Sequence, residues 1–312
     1  MRLIRGIHNL HSAQRGCVAT IGNFDGVHLG HQRILAQVIQ EARARQALAT
    51  VMLFEPQPQE FFAPDRAPAR LTSLRDKLIA LRGYGVDQVL CVRFDSAFRS
   101  LSAEAFVREL LVRGLDVRYL VVGDDFRFGC GRDGDFQYLR EAGERFGFQV
   151  TDTATREVDG ERVSSTRVRA ALQAGDFALV ARLLGRPYSI SGRVRHGDKI
   201  GRTLGVPTVN LALKRAVSPL NGVFAVSVDG PGFTGAPGAA NMGTRPSVNG
   251  TENRLEVHLL DYSGDLYDAH LTVHFHRFVR AEEKFASLDE LQAAIWRDLA
   301  QVQAFFNQDD EP

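Results

Sequence analysis

Apolar and polar positions follow two rhythms along this chain. Up to about Leu184, short apolar runs alternate with segments whose apolar residues recur every three or four positions. Residues 17–21, 48–54, 88–94, 119–122 and 148–151 read as strands. Residues 73–84, 102–113 and 136–146 read as helices, with Ser102 as an N-cap. A further helix follows the first strand, with Ile34, Leu35, Val38, Ile39 and Ala42 on one side. This alternation predicts an α/β, Rossmann-like domain, a parallel sheet with flanking helices whose ligands bind beyond the carboxyl ends of the strands. From about Tyr188 glycines multiply and the rhythm falls to two. Leu271, Val273 and Phe275 point one way; Thr272, His274 and His276 point the other. With residues 223–228 and 255–260 also strand-like, a small antiparallel β-barrel domain is predicted. Residues 288–306 form a C-terminal helix, with Leu291, Ile295, Leu299 and Val302 on one stripe. The break falls at Leu184-Gly185-Arg186-Pro187, which predicts domains 1–184 and 185–312.

Composition narrows the classes. The 312 residues suit two domains, and 44% hydrophobic content is enough for two cores. A net charge of +1 gives no global field for nucleic acid or membrane. Three well-separated cysteines, Cys17, Cys91 and Cys130, fit reduced thiols in a cytoplasmic protein. The first sixteen residues lack the apolar core of a secretory leader, and no run approaches the ~18 apolar residues of a membrane helix.

Candidate chemistry sits in the loops. Gly22-Asn23-Phe24-Asp25-Gly26-Val27-His28-Leu29-Gly30-His31 joins the first strand to the first helix. A Gly-containing loop entering a helix favours anions, and His28 and His31 share one side of the first turn. The pattern H-x-G-H belongs to enzymes that open the α-phosphate of a nucleoside triphosphate. A partial metal site or a plain helix cap are the other readings of two such histidines. Residues 123–129, with Gly123, Asp125 and Phe128, are either a base-gripping loop or an ordinary strand-end turn. Ser164-Ser165-Thr166-Arg167-Val168-Arg169 opens a helix, either as a cap or as a grip on a triphosphate through Ser164, Thr166 and Arg169. No general base stands in these motifs. None is needed if the attacking group is a phosphomonoester, with a second pKa of about 6.

In the barrel half Gly192, Gly197, Gly201 and Gly205 are interleaved with Arg193, Arg195, Lys199 and Arg202. This is a phosphate loop or a barrel turn; it is not a P-loop, because Asp198 stands where Lys is required. Thr208 and Asn210, two apart on one face, offer neutral oxygens suited to Mg2+ beside a triphosphate. Glu256, opposite the Leu255, Val257 and Leu259 face, is either structurally paired or a base for an attacking hydroxyl.

Together these segments resemble the bacterial bifunctional riboflavin kinase/FAD synthetase family over nearly the whole chain. Besides the motifs above, the resemblance is carried by Leu184-Gly185-Arg186-Pro187-Tyr188, Gly201-Arg202-Thr203-Leu204-Gly205, Pro207-Thr208-Val209-Asn210, Ala240-Asn241-Met242-Gly243-Thr244-Arg245-Pro246 and Arg280-Ala281-Glu282-Glu283-Lys284-Phe285. The resemblance implies an N-terminal nucleotidylyltransferase domain that makes FAD from FMN and ATP, and a C-terminal riboflavin kinase. It implies that His28, His31, Ser164, Thr166 and Arg169 handle ATP phosphates, that Thr208 and Asn210 hold Mg2+, and that Glu256 is the kinase base. Pro56, Pro58 and Phe62 match the family's flavin-side loop, with buried core phenylalanines as the alternative there, and the resemblance places Phe128 on the flavin as well. Arg280 and Glu282 match a mobile flap over the kinase flavin. Expected partners are riboflavin, FMN, FAD and ATP, with no nucleic acid, no membrane and at most weak self-association. The chain departs from the pattern at Val209, where the family has Ala, at Asp268, where it has Gly, and at Ala281, where it has Asp. A nucleotidylyltransferase with another acceptor leaves the barrel unexplained. A nucleic-acid module would need aromatics in the Gly-rich loop, which has none.

Overall fold

The computed structural model describes residues 1–196, 205–213, 217–247 and 250–308. They form two compact units: Met1–Pro68 with Lys77–Ser164, and Ala69–Asp76 with Ser165 onward.

The first unit is built on a six-stranded parallel sheet. Its strands are β1 (Arg2–Arg5), β2 (Val18–Ile21), β3 (Ala49–Glu55), β4 (Gln88–Arg93), β5 (Tyr119–Gly123) and β6 (Gln149–Thr153). Their order is β1-β4-β3-β2-β5-β6. The predicted strands are all present. β1 was not predicted: Leu3 and Ile4 between two arginines are too short a run to carry a rhythm, and pairing with β4 makes the strand. The helices are α1 (Leu29–Ala44), α2 (Pro58–Phe62), α3 (Leu74–Gly83), α4 (Ser96–Arg99), α5 (Ala103–Phe106) and α6 (Phe136–Phe146). Ser102 caps α5, its hydroxyl accepting from Ala105 N–H at 3.1 Å. The helix predicted over 102–113 then widens into a π-helix at Val107–Gly114, which keeps Val107, Leu110 and Leu111 buried together. A short hairpin, β7 (Glu157–Val158) and β8 (Glu161–Arg162), ends the unit. The chain runs β2, β3, β4 to one side and β5, β6 to the other. The loops after β2 and β5 therefore flank the topological switch point, where doubly wound sheets bind ligands.

The second unit is a closed antiparallel barrel of β9 (Tyr188–Arg195), β10 (Val209–Ala212), β11 (Gly222–Gly230), β12 (Phe233–Ser247), β13 (Gly250–Leu259) and β14 (His270–Arg280), in the order β10-β13-β12-β11-β14-β9. Leu271, Val273 and Phe275 fill its interior as their period predicts. Helices α7 (Ser165–Gln173) and α8 (Phe177–Leu184) belong to this unit, with Phe177 packed on Phe224 at 5.6 Å between ring centroids. Their sequence pattern gives an apolar face but does not say what covers it. The C-terminal helix α9 (Leu288–Gln308) lays Ala294, Asp298, Leu299 and Val302 against the barrel.

Candidate active sites

The loop after β2 is tightly wound. Phe24 and Val27 adopt φ of +48° and +44°, with Gly26 at +81°. A β-branched residue in that region is strained, and such strain persists where the surroundings over-determine it. The turn sets His28 as the N-cap of α1, its Nδ1 accepting from His31 N–H at 3.4 Å. The cap reading of His28 therefore holds and leaves Nε2 of its ring, which carries the proton, for another partner. The two imidazoles stack at 3.6 Å between centroids, and Phe24 backs His31 at 4.8 Å. His31 Nδ1 and Asn23 Oδ1 are buried and have no hydrogen-bond partner among the described residues. Burial, then His28 and Lys77, hold the His31 imidazole well below its ordinary pKa. It is therefore neutral near pH 7. Lys77 is only 1% exposed. Nothing in the local pattern announces this, because a lysine on an amphipathic helix reads as a solvent-face residue.

Gly30 shows why the motif needs glycine. A Cβ there would lie 3.2 Å from the His28 ring and 3.4 Å from the Val163 carbonyl. The same contact brings Ser164, one residue on, to the start of α1. Gly22 packs its missing Cβ against Phe24, and Asp25 is buried. Asp125, after β5, is exposed and pairs with Arg162 at 3.0 Å. Gly123 has no room for a Cβ beyond 3.2 Å from the Asp125 carboxylate. Thr166 and Arg169 lie on α7 in the second unit, with Arg169 Nε donating to the Ala69 carbonyl at 2.6 Å.

The two loops proposed from sequence to face a flavin are ends of one aromatic chain. Pro56 precedes α2 and Pro58 opens it. Phe62, 60% exposed, packs on Phe94 at 5.6 Å, and Phe94, Phe98, Phe106 and Phe128 continue inward. Phe128 itself is 6% exposed and part of the sheet core. Its ring supports the chain from within, while Phe62 offers the accessible face.

In the barrel unit a cavity of ≈ 310 Å³ is lined by Thr208, Asn210, Glu256, Arg280 and Glu282. Asn210 on β10 is the cross-strand partner of Glu256 on β13. Asn210 Oδ1 is buried with no partner among the described residues. Glu256 Oε1 accepts from the Arg254 guanidinium at 3.3 Å while its carboxylate lines the cavity, so it is both paired and available. Arg280 is not loose: it ends β14, and Asp298 on α9 accepts from its Nε and from a terminal nitrogen at 2.9–3.0 Å. The helix anchors a residue that the sequence placed on a mobile flap. Glu282 lies over Gly243, where a Cβ would collide with its carboxylate. A second cavity, ≈ 570 Å³, shares Thr208 and has Val209, Val257 and Leu259 in its wall. Gly192 faces the barrel interior, where a Cβ would sit 3.2 Å from Leu211. Packing accounts for that glycine. Gly197, Lys199 and Gly201 lie outside the described residues. Asp268 adopts φ +61°, the left-handed region that glycine enters most cheaply and Asp tolerates.

A doubly wound sheet with a paired-histidine helix start at its switch point, carried in one chain with a barrel holding a carboxylate- and amide-lined cavity, defines a two-site nucleotide-dependent transferase. Residues 10–167 match the family model for FAD synthetase, and residues 184–306 that for riboflavin kinase. The chain is 56% identical over 307 residues to the bifunctional riboflavin kinase/FMN adenylyltransferase of Escherichia coli (strain K12), covering 98% of each. It is 56% identical to that of Pseudomonas fluorescens, covering 97% of each, and 47% identical to that of Haemophilus influenzae, covering 98% of this chain and 100% of the other. The chain belongs to this bifunctional family, as its motifs implied. A solved structure titled as a macrolide-efflux protein from Streptococcus pneumoniae matches with a TM-score of 0.82 at 27% identity, over 97% of this chain and 99% of that one. Among the described residues no helix is long and apolar enough to cross a membrane.

Proposed function

We propose that this chain makes FMN from riboflavin in its barrel half and FAD from FMN in its sheet half, with ATP as the donor in both. The observation that carries the kinase reading is the juxtaposition of Asn210 and Glu256 in one cavity. Glu256 takes the proton of the terminal ribityl hydroxyl as its oxygen bonds to the γ-phosphorus and ADP departs. Asn210 Oδ1, without a partner among the described residues, and the neighbouring Thr208 would hold Mg2+, a hard cation that takes oxygen ligands. Held there, it would neutralise charge on the transferring phosphate. Arg280 and Glu282 frame the flavin, and the second cavity, with its apolar wall, suits the adenine base.

In the sheet half an oxygen of the FMN phosphate attacks the α-phosphorus of ATP, and the bond to pyrophosphate breaks. His28 and the neutral His31 donate hydrogen bonds to the phosphates at the positive end of α1. Loop residues Gly22 to Gly26, Gly123 and Asp125 bind ATP, and Ser164 takes the triphosphate tail. Phe62 stacks on the flavin, with Pro56 and Pro58 fixing its loop. The catalytic division falls near residue 184, and the reactions run in the cytoplasm, where ATP and reduced thiols coexist. Incubating the purified chain with riboflavin, ATP and Mg2+ gives FMN and then FAD on chromatography. Finding neither product would refute the reading.

A further inference from the structure

The barrel presents one more polar side chain to the acceptor cavity, Asn241, which lies in the stretch Ala240–Pro246 that the resemblance includes but to which it gives no role. Asn241 on β12 is the cross-strand partner of Glu256, as Asn210 is on the other side. Asn210, Glu256 and Asn241 therefore form one row across three neighbouring strands, about 5 Å per step. All three line the same cavity. The residues before and after Asn241, Ala240 and Met242, are 0% and 1% exposed, so the asparagine stands on the opposite, cavity side of β12. Along β12 and across to β11 its neighbours are small or apolar, Ala239, Gly243 and Val223, while Glu256 stands opposite it on β13. Its amide brings both donors and an acceptor to the cavity beside the Glu256 carboxylate, which only accepts when ionised.

We propose that Asn241 is a substrate-binding residue of the kinase half that hydrogen-bonds hydroxyls of the acceptor's polyol chain and so selects the hydroxyl that reaches Glu256. This rests on the kinase reading of the cavity. A chain of hydroxyls is the part of riboflavin that needs a group able both to give and to accept hydrogen bonds; the flat ring is served by apolar contact.

The test separates the chain from the ring. In the kinase reaction, Asn241→Ala raises the KM for riboflavin by about tenfold, the worth of roughly one well-made hydrogen bond. The KM for ATP stays within about twofold, because the nucleotide makes no use of this amide. The inhibition constant of a flavin carrying methyl in place of the ribityl chain also stays within about twofold. An unchanged urea midpoint by fluorescence of Trp296, on α9 of the barrel unit, reports that the barrel is folded. Should the alanine variant lose kinase activity altogether, Asn241→Ser, which keeps a smaller donor and acceptor, must show the same split in milder form. A rise in both the riboflavin KM and the methyl-flavin constant, or in neither, overturns the proposal. A wild-type chain that forms no FMN would fail earlier, at the kinase reading itself.

Discussion

His31 is a residue whose environment decides its chemistry. Held neutral by burial and by the neighbouring charges, it leaves a pH signature on stability. As pH falls below the ordinary histidine value of about 6.5, the unfolded chain binds a proton that native His31 refuses. Its contribution to stability therefore falls with pH until the depressed folded value is reached. In denaturation series between about pH 7.5 and 5, His31→Gln lowers stability less steeply than wild type; parallel slopes would refute the assignment. Gly30 gives a second test. Gly30→Ala pushes a Cβ against the His28 ring and tilts the stacked pair, so FMN adenylylation falls on the order of 10²-fold while riboflavin phosphorylation persists. The placing of His28, Gly30 and His31 at a helix start was legible in sequence because strand, loop and helix start are local. The burial of Lys77 beside them was not, since it depends on what packs over α3.

At the scale of elements, the end of β14 and the helix α9 are joined by one ion pair. Arg280 donates three hydrogen bonds to Asp298, which is 5% exposed, and its guanidinium lies 5.4 Å over Phe285. Asp298→Ala removes an anchor and leaves a half-buried cation without it, at a cost of about 2 kcal/mol. Trp296, the single tryptophan, sits on α9 and reports the loss as a lower urea midpoint by fluorescence. The riboflavin KM rises in parallel, because Arg280 borders the cavity. An unchanged midpoint would show that the pair is dispensable. The sequence predicted α9 and its stripe, but Asp298 on the buried side broke the pattern. Its partner lies eighteen positions away on another element, beyond what a helical period can reveal. The change from α to π form at Val107 was hidden for a similar reason, since both forms bury the same apolar residues there.

Across the whole molecule, the proposed function places two chemistries on two sets of side chains, which are expected to separate by mutation. Glu256→Ala lowers FMN formation by roughly 10²–10⁴-fold and leaves conversion of FMN to FAD intact. The double change His28→Ala with His31→Ala does the reverse. Either variant losing both activities while still folded would disprove separate sites, and product analysis from riboflavin and from FMN as starting substrates decides it. By itself the sequence determined the two architectures, the strand-ending loops that carry chemistry, the family, and the inward alternation of β14. Each of these is written within a few residues, where spacing alone fixes which side chains share a face. Only the tertiary structure decided which faces meet. It paired β1 with β4, set the loops after β2 and β5 at one switch point, joined Phe62 to Phe128 through an aromatic chain, and closed the barrel so that Asn210, Glu256 and Asn241 stand in a row. Register between strands comes from the packing of the whole barrel, and a local rhythm does not contain it.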